Sequence, residues 1–433
     1  MKDSSGLSKV IRMKTDSRKI KILFYSDCSF FAGCENMLVA LFSSPQMHEE
    51  FDITFAYRYS KEYEDGLHTR FKSISNEIPL RLPTIDLLFK LINKIKVGLI
   101  NKLSKAIVIG SCLKYLFSFY NVFRLLFVFR KVNPDILHIN NGGYPGAYTC
   151  IAAVFAAKMA RIKKVVFVVN NIITPYNSIF RYIEKPIDKF VKNNTTVFIT
   201  GSKYAGNKLR DLWNLPQQRV TNLPNTVMLR PLVEPRESVL KRLGITNNHI
   251  VLGNIALLDP RKGQKYLIEA LAIVREKFDN FENVILIIEG TGKERAHLRN
   301  LVADLSLGGN VVFLENEKNI FDIINILDMF ILSSIEYEDF PNVILEAMSL
   351  GKPVIGTDMA GIPEQIEDGV NGFVVAPRDV DALSEAILTL IKNENKRKRM
   401  GEKSLERFDR LFSYGKVISN YIMFYKKLGN GNE

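Results

Sequence analysis

Two glutamates, Glu338 and Glu346, stand with seven residues between them in the run SSIEYEDFPNVILEAMSLGKPVIGTDMAGIPEQIEDGVNG, residues 333–372. A carboxylate only accepts hydrogen bonds, so it suits ligands rich in hydroxyl groups, such as sugars and ribose. Glu338 precedes the Phe340-Pro341 turn and belongs on a loop at a strand end. Glu346 falls in the first turns of the helix that follows. That helix start offers unpaired N–H groups and the positive end of the dipole, a setting that suits phosphate. One loop carrying both features would suit a sugar attached to a nucleotide. On spacing alone, two glutamates near a helix start are more readily read as ordinary capping residues. Upstream, Lys262 closes the run Asp259-Pro260-Arg261-Lys262-Gly263 just before a helical stretch. It is either a phosphate-facing cation or an exposed lysine at a helix start.

The elements that would hold these groups follow from pattern. Asn342–Leu350 reads as a short helix with Val343, Leu345 and Met348 apolar, stopped by Gly351-Lys352-Pro353. Val354-Ile355 reads as a buried strand, and Gly361–Glu364 as a turn opening a helix. Strands are predicted over 250–256, 283–289, 311–314 and 327–332, with a helix over 264–278. Ahead of them, strands are predicted over 21–25, 51–57, 135–140, 164–169, 196–200 and 219–225, with helices over 36–42 and 148–158. Strands alternating with helices predict parallel sheets, with ligands at the C-terminal strand ends.

The back half resembles the family-4 retaining glycosyltransferases of the GT-B fold. Their paired glutamates usually stand as E-G-F-P followed by L-E-A; here they are Glu338-Asp339-Phe340-Pro341 and Leu345-Glu346-Ala347. G-G-x-P-E appears as Ala360–Glu364, and D-G-x-N-G as Asp368–Gly372. Asp339 replaces the usual glycine and adds a negative charge near an expected phosphate site. The resemblance implies an α/β chain of two Rossmann-like, doubly wound domains facing a central cleft. The donor would sit on the second domain and the acceptor on the first. The boundaries expected are a polar tail over 1–19, a first domain over 20–225, a linker over 226–237, a second domain over 238–405, and a helical region over 406–433 returning to the first domain.

The same resemblance carries residue roles. Glu338 touches the donor sugar and Glu346 the ribose. Lys262 clamps the diphosphate together with an arginine, but that arginine's position holds Leu257, so Arg261 is the available substitute. Amides near Phe340, Pro341, Asn342 and Val343 face the leaving phosphate. Gly290, in Gly290-Thr291-Gly292, matches a glycine motif of the site, and Glu315 lies on the loop that holds the base. Gly33 and Glu35 keep part of a G-G-x-E turn. His138 matches the first histidine of D-x-x-H-x-H and is a catalytic candidate with Glu338 and Lys262, although a lone strand histidine is more often a satisfied, partly buried one than a catalyst. Asn140, Asn141 and Asn170 could hydrogen-bond a sugar but offer no acid–base chemistry.

The 433 residues suffice for two or three cores, and 47% apolar content excludes wholesale disorder. Net charge is +13, unevenly spread: residues 1–231 hold 34 Lys+Arg against 16 Asp+Glu, and the remainder 25 against 30. The front half is therefore the basic surface. Leu87–Pro134 has nine Lys+Arg and no acid in 48 residues, set among long apolar runs. Charges interrupt every stretch long enough to span a bilayer. The segment Leu87–Lys114 reads as an interfacial helix pair on anionic lipid or, alternatively, as a core pair with a basic rim; Phe123–Arg130 reads as core. The four cysteines form no C-x-x-C, so no metal site is expected. Asp379-Val380-Asp381 reads as a helix cap, and no cofactor is implied. Met1–Lys19 lacks an apolar core and is not a secretory signal. The expected partners are a nucleotide-sugar donor, a glycan or lipid-linked acceptor and an anionic membrane, with the protein cytoplasmic and peripheral on the inner face of the plasma membrane. Nucleic acid is disfavoured, because aromatic and basic residues are not interleaved as a stacking platform. A non-catalytic relative with a weakened clamp remains open because of Leu257. An epimerase on the same fold is disfavoured by the glutamate spacing.

Overall fold

The structure is a computed structural model that describes residues 18–28, 33–71, 76–85, 89, 92, 93, 98, 104 and 113–431. Two all-parallel sheets organise it. The first has seven strands: β1 Ile20–Ser26, β2 Phe51–Arg58, β3 Glu77–Leu80, β4 Ile136–Asn141, β5 Lys164–Val169, β6 Val197–Thr200 and β7 Val220–Asn222, in the order β3-β2-β1-β4-β5-β6-β7. The second has six: β8 Ile250–Ile255, β9 Val284–Glu289, β10 Val311–Leu314, β11 Met329–Leu332, β12 Val354–Thr357 and β13 Gly372–Val375, in the order β10-β9-β8-β11-β12-β13. These are the two doubly wound domains expected. In each sheet the order reverses beside the first strand, which opens a crevice at the C-terminal strand ends.

The strands are near-continuous apolar runs because helices cover both faces of each sheet. In the first domain, Leu23, Tyr25, Leu137 and Phe167 face the helices Leu113–Val132 and Tyr148–Met159. Phe24, Phe55 and Ile136 face Asn36–Phe42 and the last helix, Tyr414–Gly429. Val417, Ile418, Tyr421 and Tyr425 of that last helix are buried in this core. The chain therefore leaves the first domain near Thr226 and returns near Phe412, and the Thr226 hydroxyl donates to the Phe412 carbonyl at 2.7 Å. The helix Glu394–Leu411 runs unbroken through residue 405, so the return lies at Phe412-Ser413.

The predicted tail lies almost wholly outside the described residues, as does most of Leu87–Lys114. Phe123–Arg130, read from sequence as core, divides: Leu125, Leu126, Val128 and Phe129 are buried, whereas Phe123 and Phe127 are exposed. No helix among the described residues is long and apolar enough to cross a membrane.

Candidate active site at the interdomain cleft

The turn after β8 and the loop after β11 lie side by side. Asp259 caps the turn Pro260–Lys262 by accepting the Arg261 N–H. Gly263 follows with φ 65°, and a Cβ there would lie 2.1 Å from the Ser333 carbonyl oxygen. Only glycine allows this contact. The two loops are stitched further: the Ile335 N–H donates to the Arg261 carbonyl at 2.8 Å, and the Ser333 hydroxyl to the Lys262 carbonyl at 3.1 Å.

This packing sets the Lys262 ammonium directly on the Glu338 carboxylate. The same carboxylate oxygen accepts from the Ser334 hydroxyl at 2.9 Å. Both ionic side chains are largely buried, at 14% and 9% exposure. Beside them, Arg261 donates to the Tyr337 carbonyl at 3.3 Å. Tyr337 itself adopts φ 52°, a bend that turns the chain into the Glu338 loop.

The helix Asn342–Ser349 starts where that loop ends. Its cap, Pro341, makes no side-chain hydrogen bond to the first turn. The Phe340 ring is buried, its carbonyl accepts from Asn225, and the Pro341 carbonyl accepts from Gln365. The Asn342 amide donates across the cleft to the Gly33 carbonyl at 3.2 Å, joining the two domains. One turn on, Glu346 lines a cavity of about 610 Å³ with Asn36, Arg70, Arg230 and Glu317. Burial raises the Glu346 carboxyl pKa, opposed by the Arg230 and Arg70 charges.

Lys262, Glu338 and Arg261 thus come together, as do Gly33 and Asn342, while Glu346 faces the neighbouring cavity. Gly290 and Glu315 lie at another part of the rim. Glu315 is exposed and pairs with Arg295 at 3.3 Å, and Arg295 donates to the Gly290 carbonyl at 3.2 Å. Gly290 has a packing role as well, because a Cβ there would meet the Ala256 carbonyl oxygen at 2.0 Å. Leu257, at the expected arginine position, is 54% exposed.

Two family models match, "Glycosyl transferases group 1" over residues 235–407 and "Glycosyltransferase Family 4" over residues 102–230. Together they take in most of the chain. The chain belongs to the family-4 glycosyltransferases. This glycosyltransferase is 28% identical over 308 residues to the N-acetyl-alpha-D-glucosaminyl L-malate synthase of Bacillus anthracis, covering 69% of this chain and 76% of that protein. It is 32% identical over 162 residues to a lipopolysaccharide core biosynthesis glycosyltransferase of Rhizobium meliloti, covering 37% of this chain and 45% of that one. Its fold matches that of Anabaena HepE in complex with UDP, with TM-score 0.73, 19% identity, and 94% and 100% of the two chains covered.

His138 requires a correction. It lies in the core of the first domain, 2% exposed, with Nδ1 2.8 Å from the Tyr425 hydroxyl and its ring 4.7 Å from that of Phe24. Burial lowers its pKa to about 3, so it stays neutral and away from the cleft. Replacing it with Gln is expected to leave turnover within about two-fold while costing ~1–3 kcal/mol of stability. Parallel steady-state assays and denaturant melts of the transferase would check this. The asparagines are likewise spent internally. Asn140 bonds Ser26 and Asn170, while Asn141 holds the Gly143–Ala147 turn.

Asp339 differs from its sequence reading. Its side chain faces the first domain, where the Ser202 hydroxyl donates to it, and it is 4% exposed. Beside it, Glu364 accepts the N–H groups of Lys203 and Tyr204, each at 2.9 Å, at the start of the helix Lys203–Trp213. Burial, with Glu364 and Glu338 nearby, raises the Asp339 pKa to about 7 against the Ser202 and Gly201 hydrogen bonds. A carboxyl whose folded pKa is raised favours the fold while protonated. Stability should therefore fall as pH climbs from about 4 to about 7. Asp339→Asn should flatten that slope in thermal melts across the range; parallel slopes for the two proteins would contradict it. Asp379 acts as read, capping the helix Val380–Lys392 by accepting the Ala382 N–H at 2.9 Å.

Proposed function

We propose that this glycosyltransferase moves a sugar from a nucleoside-diphosphate donor to a hydroxyl of a lipid-linked or membrane-proximal glycan, with retention of anomeric configuration, in surface polysaccharide synthesis. The carrying observation is the Lys262–Glu338 contact, made by residues from separate strand-end loops at one edge of the cleft. Breaking the glycosidic bond leaves charge on the diphosphate, and preorganised positive groups aimed there lower the barrier. Lys262, Arg261 and the uncapped first turn of Asn342–Ser349 supply such groups. Glu338, held by Lys262 and Ser334, is placed to accept from donor hydroxyls, and Glu346 to accept from ribose. In this reading no side chain attacks as a nucleophile. Transfer takes place on the donor's leaving-group face, and the departing phosphate draws the acceptor proton. These cations and dipoles supply the charge that a divalent ion would bring, so the reaction is read as metal-independent.

A structural neighbour, Anabaena HepE, was solved in complex with UDP-glucose, which supports a nucleotide-sugar donor here. A thermal-shift screen of nucleotide sugars is expected to find a donor that raises the melting temperature by mass action. NMR of the transferred sugar should then show the donor's anomeric configuration. An inverted product would remove the retaining step. The second reading, a binding or scaffolding relative without activity, is favoured by Leu257. It stands if a bound donor is neither hydrolysed nor transferred. The cytoplasmic, membrane-peripheral placement belongs to this proposal.

A further inference from the structure

We propose that the outer ridge of the helix Leu113–Val132, with the adjoining helix Ile179–Ile183, is the surface by which this chain seats on an anionic lipid bilayer. This deepens the reading above by naming the face through which a membrane-held acceptor would be met. It rests on that reading only for the acceptor.

Leu116, Phe119, Tyr120, Phe123 and Phe127 fall on one helical face and are 61%, 66%, 49%, 47% and 73% exposed. Their spacing makes a continuous stripe. The opposite face, with Leu125 and Phe129, is buried in the core, so the stripe is not turned outward for want of apolar partners inside. Ile179, Phe180, Tyr182 and Ile183 are also more than half exposed. The two helices meet where Lys114 pairs with Glu184 at 3.0 Å. A groove of about 840 Å³ runs beside the ridge; Phe123, Phe127, Ile78 and Pro79 wall it, and Lys21, Arg124 and Lys131 line it together with Asp52 and Glu77. An exposed patch of this kind marks a docking surface.

Charge selects the occupant. The helix Leu113–Val132 contains no acid, and Arg124, Arg130 and Lys131 are exposed on it. The acids near the second helix, Glu184 and Asp188, are 4% and 2% exposed and both are paired with Arg181. Lys185 and Lys189 remain outward. Asp52 and Glu77 are confined to the far, strand wall of the groove. With Arg124, Arg130, Lys131, Lys185 and Lys189 on them, the helices offer aromatic and aliphatic side chains with an excess of cations, the composition of an interfacial anchor on anionic head groups. The acid-free sequence from Leu87 onward adds five lysines before Lys114.

The test is co-sedimentation of the full chain with phosphatidylglycerol vesicles and with phosphatidylcholine vesicles, at low and high salt. The wild type should bind the anionic vesicles at low salt and bind the neutral ones weakly. Phe119→Ser/Phe127→Ser should lower the partition coefficient roughly ten-fold or more at both salts. Arg124→Glu/Lys131→Glu should lower it at low salt only. Thermal midpoints and the nucleotide-sugar response should be unchanged in both variants. Wild-type binding by the aromatic variant overturns the proposal. So does a wild-type dimer in ultracentrifugation that the aromatic variant dissolves, which would make a second copy the occupant. A lowered midpoint in the aromatic variant would show that the chain itself covers the ridge, and overturns it too. Ridge-dependent vesicle binding without any donor response would support the surface while removing the transfer reading.

Discussion

Replacing Lys262 with Met is expected to lower kcat/KM for sugar transfer by roughly a hundred- to a thousand-fold. The substitution keeps the alkyl stem and removes the ammonium that touches Glu338. Two effects combine. The leaving diphosphate loses a preorganised cation, and Glu338 is left, among the described residues, with the Ser334 hydroxyl beside its Oε1. An unpaired, mostly buried carboxylate is costly, so a stability loss of ~1–3 kcal/mol should accompany the kinetic one, below the range for fully buried pairs because some solvent reaches both groups. Glu338→Gln separates the two effects, since Lys262 then keeps its charge and can still meet phosphate. The double variant should recover part of the lost stability and none of the lost rate. Steady-state kinetics with the donor found by screening, run beside denaturant melts, decide the matter. Turnover by Lys262→Met within a few-fold of wild type would remove the lysine from the mechanism.

Gly263→Ala should do comparable damage from outside the ligand's reach. The added methyl would stand 2.1 Å from the Ser333 carbonyl at a backbone angle that disfavours a Cβ. The turn and the Glu338 loop must separate, which moves Lys262 off Glu338. A loss of about 3 kcal/mol or more is expected, with kcat/KM falling together with it. Gly244→Ala is the control. It shares the left-handed geometry, φ 69°, but nothing lies within 4 Å of the added carbon, so only the conformational term of about 1 kcal/mol applies. Equal losses at the two glycines would show that loop contact is not what holds the site together.

The second domain was largely legible because its signals are local. The Pro341 turn, the Gly351 stop and the apolar strand runs each lie within a few residues of what they specify. Strand β3, Glu77–Leu80, went unread because it is a four-residue edge carrying Pro79, which a ladder tolerates only there. The break at Phe412-Ser413 was also missed, since charged helical residues continue on both sides of it. Long-range facts were harder still. Asp339 meets Ser202 across 137 positions, and nothing near either residue marks the partner. His138 could not be told from a ligand-facing histidine until Tyr425, at the far end of the chain, was placed over it. For Phe123 and Phe127 the difficulty is different: the helix is apolar on both sides, and periodicity cannot say which side a neighbour covers.

The docking of Tyr414–Gly429 onto the first sheet bears on how the molecule comes into being. Phe24, Phe55 and Ile136 are translated hundreds of residues before Val417 and Tyr421, which share their core. Until that final segment leaves the ribosome, one side of the early sheet is missing part of its apolar covering, and the half-made protein is a client for chaperones. A nonsense codon near residue 412 would then injure the first domain more than the second, even though every residue of the paired-glutamate loop had been made.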